Sequence, residues 1–377
     1  MTNMDSPDAP IFVTRPFMPP LGEYLPYLEA IWENRILTNR GPYLRQLEEE
    51  LKLYLGVPHI SVLANGTVAL MAALATLDIA GEVITTPFTF AATAHALKWC
   101  GLTPVFVDVE PDSLTIDPEK IEAAITPRTS AIMAVHCYGY TCDTARIKEI
   151  ADRHELKVIY DAAHCFGVRD NGGSVLRHGD LSVLSFHATK VFNTFEGGAV
   201  VCPSAEIKDH VDRIANFGLN SDGVGTELGL NAKLNEVSAA FGLLQLKYLD
   251  QSLASRERID REYRERFSNA VGIRCLQPRG YDTSNYSYFP IMLHEQCKIS
   301  SVELSLELNR AGVYARRYFY PLLSEMEPYR SQAEVSTMHG TPVAAVASER
   351  VLCLPIYPGL DIENVNAIAD VVIRCTQ

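Results

Sequence analysis

Between residues 58 and 202, short apolar runs alternate with amphipathic stretches, a rhythm that predicts a sheet with helices packed on its faces. HISVL (59–63) leads into TVALMAALATL, EVITT (82–86) into AATAHALKWC, and PVFVD (104–108) into PEKIEAAI. SAIMAVH (130–136), LKVIYD (156–161), LSVLSFH (181–187) and GAVVC (198–202) add further Val- and Ile-rich runs. Such runs predict a mostly parallel sheet buried on both faces.

The segment 231–267, NAKLNEVSAAFGLLQLKYLDQSLASRERIDREYRERF, has helical spacing and turns strongly charged in its second half. It predicts a long connecting helix. Beyond it, YSYFPIML, a helix near 300–311, VYARRYFY, RVLCLPIY and a last helix from about 361 predict a smaller α+β unit. The expected division is 1–250 for the large unit, with the N-terminal segment, and 251–377 for the small one. No repeat or low-complexity linker separates them, and the boundary falls near 245–265.

Composition narrows the function classes. A chain of 377 residues that is 47% hydrophobic can bury one large core and a smaller one. A formal net charge of -13 argues against nonspecific nucleic-acid binding, which needs a basic surface, so an anionic substrate requires a local basic pocket. No run of about 18 uncharged apolar residues suggests a membrane span, and MTNMDSPDAP lacks the features of a secretory signal. A cytoplasmic protein without a membrane partner is expected. The 9 cysteines are scattered singly, without CxxC pairs or metal-like spacing with histidine, so reduced thiols and no metal site are expected.

Four strand ends carry candidate chemistry. In LSVLSFHATKVFNTFEGGAVV an apolar run delivers Ser185, His187, Thr189 and Lys190, and Gly197 and Gly198 follow. Lys190 reads either as a solvated lysine at a strand end or as a Schiff-base lysine whose pKa is lowered by desolvation. In VIYDAAHCFG, Asp161 stands at a strand's carboxyl end, either as a helix cap or as a carboxylate that keeps a pyridine nitrogen protonated. Open α/β sheets bind ligands at that edge. In LANGTVALMAAL, Asn65, Gly66 and Thr67 open a helix directly after a strand, either as a plain turn and cap or as a phosphate site. Phe90, in TTPFTFAATAHAL, reads as core filling or as an aromatic that stacks on a flat cofactor.

In this order, the four elements resemble the DegT/DnrJ/EryC1/StrS family of sugar aminotransferases, from LTNRGPYLRQLEEEL (37–51) to VLCLPIYPGL (351–360). The resemblance implies an α/β fold of the fold-type I, aspartate aminotransferase-like class, with pyridoxal 5'-phosphate as cofactor. It implies that Lys190 is the Schiff-base lysine and proton shuttle and Asp161 the partner of the pyridine nitrogen. His164 would lie near the phenolic oxygen, Gly66, Thr67 and Ser185 would hold the phosphate, and Phe90 would stack on the ring. Asn231 would reach the phosphate of the neighbouring subunit, which implies a homodimer with shared active sites.

Within the family, SFHATKVFNTFEGG and ARRYFYPL (315–322) resemble the branch that aminates C4 of dTDP-4-keto-6-deoxy-D-glucose with L-glutamate as donor. A branch that aminates C3 of a dTDP-3-keto-6-deoxy sugar shares most cofactor motifs and stays open, as does the pathway, O-antigen of lipopolysaccharide or antibiotic. His187, Arg316 and Tyr320 are candidate substrate contacts. Arg316 and Arg317 can bind a carboxylate or diphosphate bidentately, or form a surface salt-bridge pair. Two rival classes compete with this reading. A dinucleotide-dependent oxidoreductase lacks its fingerprint, since GVGTEL (223–228) has no third glycine and follows no strand. A noncatalytic regulator that keeps the fold and binds the cofactor is disfavoured by Lys190 and Asp161 together.

Overall fold

The computed structural model describes residues 9–278, 283–330 and 340–377. Its strands, in chain order, begin with β1 (Ile11–Phe12), β2 (His59–Leu63), β3 (Glu82–Thr85), β4 (Thr103–Phe106) and β5 (Thr129–Val135). They continue with β6 (Lys157–Asp161), the short pair β7 (Arg169–Asp170) and β8 (Gly173–Ser174), β9 (Leu181–Ser185) and β10 (Gly198–Cys202). The rest are β11 (Ile273–Cys275), β12 (Phe289–Leu293), β13 (Val313–Tyr314) and β14 (Val351–Leu354).

Seven strands form the large sheet in the order β2-β10-β9-β6-β5-β3-β4. Neighbours from β9 to β4 are parallel, whereas β10 runs antiparallel to both β9 and β2. The mostly parallel sheet expected from the apolar runs is therefore present, with one reversed strand. Residues alternate between its faces. Leu184, Ala199 and Val201 feed one buried layer, and Leu181, Val183 and Val200 feed the opposite layer. Burial on both faces is why these runs carry no polar alternation.

The long helix spans Glu236–Phe267 and begins on an Asn235 side chain that accepts from Ser238 N–H. Leu243 and Leu249 pack with the large sheet's layer, and Ile259, Tyr263 and Phe267 pack in the core of the second sheet. Its first residue also serves a neighbouring helix. The buried Glu236 carboxylate accepts from Tyr43 N–H (2.8 Å) and Leu44 N–H (2.9 Å), capping the Pro42–Leu55 helix.

The second sheet is antiparallel, in the order β11-β12-β14, and β1 pairs in parallel with β13. Just beyond β4, buried Asp108 accepts from Val343 N–H (3.1 Å) and Ala344 N–H (2.8 Å) at the start of the Pro342–Arg350 helix, which runs directly into β14. This carboxylate ties the edge of the large sheet to the second sheet. Among the described residues, no helix is long and apolar enough to cross a membrane, and no cluster of His, Cys, Asp and Glu has the form of a metal site.

Candidate active site

The parallel strands bring their carboxyl ends to one edge, and Asp161 and Ser185 are the last residues of β6 and β9. Asp161 is buried. Its Oδ2 accepts from Thr93 Oγ1 at 2.8 Å and its Oδ1 from Ala163 N–H at 3.2 Å. Turns, not a helix, occupy the residues that follow, so Asp161 caps no helix. Burial raises its pKa above the ordinary carboxylate value, and Thr93, Ala163 and Lys190 offset only part of that rise. Among the described residues it forms no salt bridge.

Lys190 lies five residues past the end of β9, in a turn closed by its own N–H donating to His187 O at 2.8 Å. It is partly buried. Desolvation lowers its amine to a pKa of about 8, against the opposing pull of Asp161. An amine with that pKa is about half neutral near pH 8, where an ordinary lysine would be ~0.3% neutral. That is the condition a nucleophilic lysine needs.

His164 sits beside this pair, buried, with each ring nitrogen engaged. Tyr138 N–H donates to Nδ1 at 3.1 Å, and Nε2 lies 3.3 Å from the Tyr288 hydroxyl. The ring is parallel to Phe319, with an interplanar angle of 3°. Burial, with Lys190 nearby, holds its pKa well below the ordinary histidine value, so the ring is neutral. Tyr138 delivers its N–H from a left-handed backbone (φ 60°), a sparsely populated conformation for an aromatic residue. Asn285 locks the other side by donating to His164 O (2.8 Å) and Phe166 O (2.9 Å).

The Gly66–Thr76 helix starts against the end of β9. Asn65 Oδ1 accepts from Val68 N–H at 3.0 Å, while Gly66 N–H and Thr67 N–H have no acceptor among the described residues. Gly66 allows a close approach: a Cβ there would stand 3.0 Å from Ser185 Cβ, tight enough that Ser185 would have to give way. Two unpaired N–H groups, the Ser185 hydroxyl and a helix dipole thus share one small space, a setting suited to an anion.

The remaining candidates lie further out. Phe90 is the N-cap residue of the Ala91–Trp99 helix that carries Thr93, and it is 62% exposed, so core filling is not its role. His187 is exposed and engaged locally, with Nδ1 2.8 Å from Thr189 Oγ1. Arg316 is exposed and Arg317 partly buried, and neither forms an ion pair among the described residues; Arg317 instead stacks on the half-exposed Tyr320 ring at 3.6 Å. Asn231 is exposed and bridges to Asn216.

A neutral-prone lysine and a buried carboxylate, set beside an anion-ready helix start, define the site. The family model described as the DegT/DnrJ/EryC1/StrS aminotransferase family matches residues 22–373. The chain belongs to that family. It is 50% identical over 365 residues to the dTDP-4-amino-4,6-dideoxy-D-glucose transaminase of Shigella dysenteriae, covering 97% of this chain and 99% of that one. To the Escherichia coli protein of the same name it is 47% identical, covering 96% and 97%. The crystal structure of DesI in the presence of its TDP-sugar product superposes with a TM-score of 0.93 at 34% identity, covering 97% of this chain and 93% of DesI. The fold is fold-type I, and aminotransferases of this family use pyridoxal phosphate.

Within this family frame, Thr93, Tyr138, Asn285, Tyr288 and Phe319 escape a reading of motifs, although all five contact Asp161 or His164. Thr93 lies one turn into a helix whose pattern already reads as apolar. For Tyr288 and Phe319 the weak signal is an unusual density of tyrosine and phenylalanine in YSYFPIML and ARRYFYPL; Tyr138 and Asn285 lie outside both segments.

Proposed function

We propose that this aminotransferase moves an amino group from L-glutamate to C4 of dTDP-4-keto-6-deoxy-D-glucose, giving dTDP-4-amino-4,6-dideoxy-D-glucose. The observation that carries the reading is near-complete coverage at 50% identity to a transaminase of that name. In support, Lys190 and Asp161 lie near enough for each charge to shift the other's pKa, and both are desolvated. The noncatalytic alternative has no use for a lysine held half neutral near pH 8.

The residues fit pyridoxal phosphate. Asp161, a desolvated carboxylate with no salt bridge among the described residues, suits a protonated pyridine nitrogen. Gly66, Thr67 and Ser185 supply N–H and hydroxyl donors for the phosphate, neutral His164 stands where the family usually has a residue at the phenolic oxygen, and exposed Phe90 offers a ring face. When bound, the cofactor supplies an electron sink and carries the amine between the two half-reactions. Lys190 would supply the amine that joins the cofactor and yields its place to the amino donor, and would then act as the base and acid that moves a proton at the substrate carbon. Asp161 would hold its charge against the ring nitrogen. Arg316, with no ion pair among the described residues, suits the carboxylate of glutamate or the diphosphate of the sugar nucleotide, and the exposed His187 and Tyr320 would border the sugar.

Product NMR tests the regiochemistry. Incubation with dTDP-4-keto-6-deoxy-D-glucose and L-glutamate is expected to place an equatorial nitrogen at C4 and to release 2-oxoglutarate. Nitrogen at C3, or turnover only with a 3-keto isomer or a GDP-sugar, would overturn the branch and leave the aminotransferase standing.

We also propose a cytoplasmic homodimer in which Asn231 completes the partner's phosphate site. Support comes from its exposure and from the exposed Leu228 (94%) and Val224 on the adjoining loop, together with Leu21, Leu25 and Trp32 on one face of the Leu21–Asn34 helix. Mixing inactive Lys190→Ala subunits with inactive Asn231→Asp subunits is then expected to restore activity as subunits exchange, because one hybrid site has both residues. No recovery, with exchange verified by mass, counts against shared sites.

A further inference from the structure

We infer that Tyr288 is a further ligand-contacting residue, whose phenol donates a hydrogen bond to an oxygen of the molecule bound beside Lys190. The polarity follows from His164. Tyr138 N–H donates into Nδ1 at 3.1 Å, so Nδ1 presents its lone pair and the single proton of the neutral ring sits on Nε2. That nitrogen lies 3.3 Å from Tyr288 Oη. The nitrogen is therefore the donor and the phenol oxygen the acceptor. The proton of Tyr288 is directed away from His164, and Oη has no second partner among the described residues.

Its position suits contact with a ligand. Tyr288, the residue before β12, comes from the second sheet, and its ring centre is 6.0 Å from Lys190 Nζ. His164 packs edge-on at 4.8 Å and Tyr318 stands perpendicular at 5.7 Å, so the ring is held on two sides. Burial pushes the phenol's pKa well above its ordinary value, which keeps the proton in place. A fixed donor of this kind favours an oxygen that carries or develops negative charge. Both the phenolic oxygen of pyridoxal phosphate and the carbonyl of a keto-sugar have that chemistry, and the inference rests on the cofactor reading above.

Tyr288→Phe keeps the ring and removes only the hydroxyl, and thermal melting is expected to stay near wild type. Nitrogen NMR of histidine-labelled, cofactor-free protein near neutral pH is expected to find His164 protonated on Nε2; a proton on Nδ1 would overturn the polarity. With pyridoxal phosphate bound, the two sources separate. A shift of about half a unit or more in the pH midpoint of the cofactor absorbance assigns the contact to the phenolic oxygen. A loss of about tenfold in the keto-sugar half-reaction, with the glutamate half-reaction unchanged, assigns it to the sugar. An unmoved midpoint with both half-reactions within about twofold of a normal wild type overturns the inference alone. A wild-type protein that develops no cofactor absorbance overturns the cofactor reading and this inference with it.

Discussion

Lys190→Ala is expected to lose turnover by ~10⁴-fold or more while keeping fold and assembly, because both the nucleophile and the proton carrier leave with one side chain. The measurement is single-turnover release of 2-oxoglutarate, with circular dichroism and sizing as controls. Activity near wild type would remove the central assignment. Stability supplies a second, independent readout. The amine titrates near 8 in the folded chain and near 10.5 when unfolded, so between those values the unfolded state binds more protons. Relative to Lys190→Ala, the wild-type apoprotein should therefore gain stability as pH rises from about 8 toward 10.5, and below 8 the full cost of a desolvated ammonium is present. Cysteines whose thiols burial raises lose stability over the same range in both proteins, so the difference between the two melting curves carries the test. A difference that stays flat across the window would mean that Lys190 is a solvated surface lysine.

The strand ends were legible because a doubly covered sheet leaves a mark that survives in one sequence: uninterrupted apolar runs that stop abruptly at Asp161, Ser185 and Leu63. Strand direction leaves no such mark. GAVVC reads the same whichever way it runs, and only the pairing of Gly198 with both Ser185 and Leu63 reveals that β10 is reversed. Asp161 illustrates a different limit. Its sequence suits a helix cap first and a cofactor carboxylate second, and the turns after it remove the first. Tyr288 and Asn285 were illegible since they approach His164 from more than 120 residues away, and long-range contact between single side chains has no local period. Asn231 is a third case: an exposed residue in one chain carries its meaning, if any, on the surface of another.

Asp161→Asn is expected to slow transamination by on the order of 10²–10³-fold, comparable to removing one preorganised charge-stabilising group elsewhere in catalysis. Asparagine can still accept from Thr93 or from Ala163 N–H through its amide oxygen, so local geometry should survive. What it cannot do is oppose a positive ring nitrogen. The carboxylate is costly to keep: burial raises its pKa, so the folded chain holds a proton at pH values where the unfolded chain has lost it. Stability from this group is fully present below the unfolded value of 3.8 and is lost as pH rises through the higher folded value. At neutral pH the stability of the protonated form is lost to the cofactor-free wild type, with Thr93, Ala163 and Lys190 offsetting only part of the burial cost, and Asp161→Asn should melt higher than wild type there. Below 3.8 that advantage should vanish. Pyridoxal phosphate should reverse the order, raising the wild-type melting temperature more than that of the variant, because only the carboxylate gains a cationic partner. Equal cofactor-induced shifts in the two proteins, or turnover within about threefold of wild type, would mean that Asp161 serves the turn at 161–163 and not the ring.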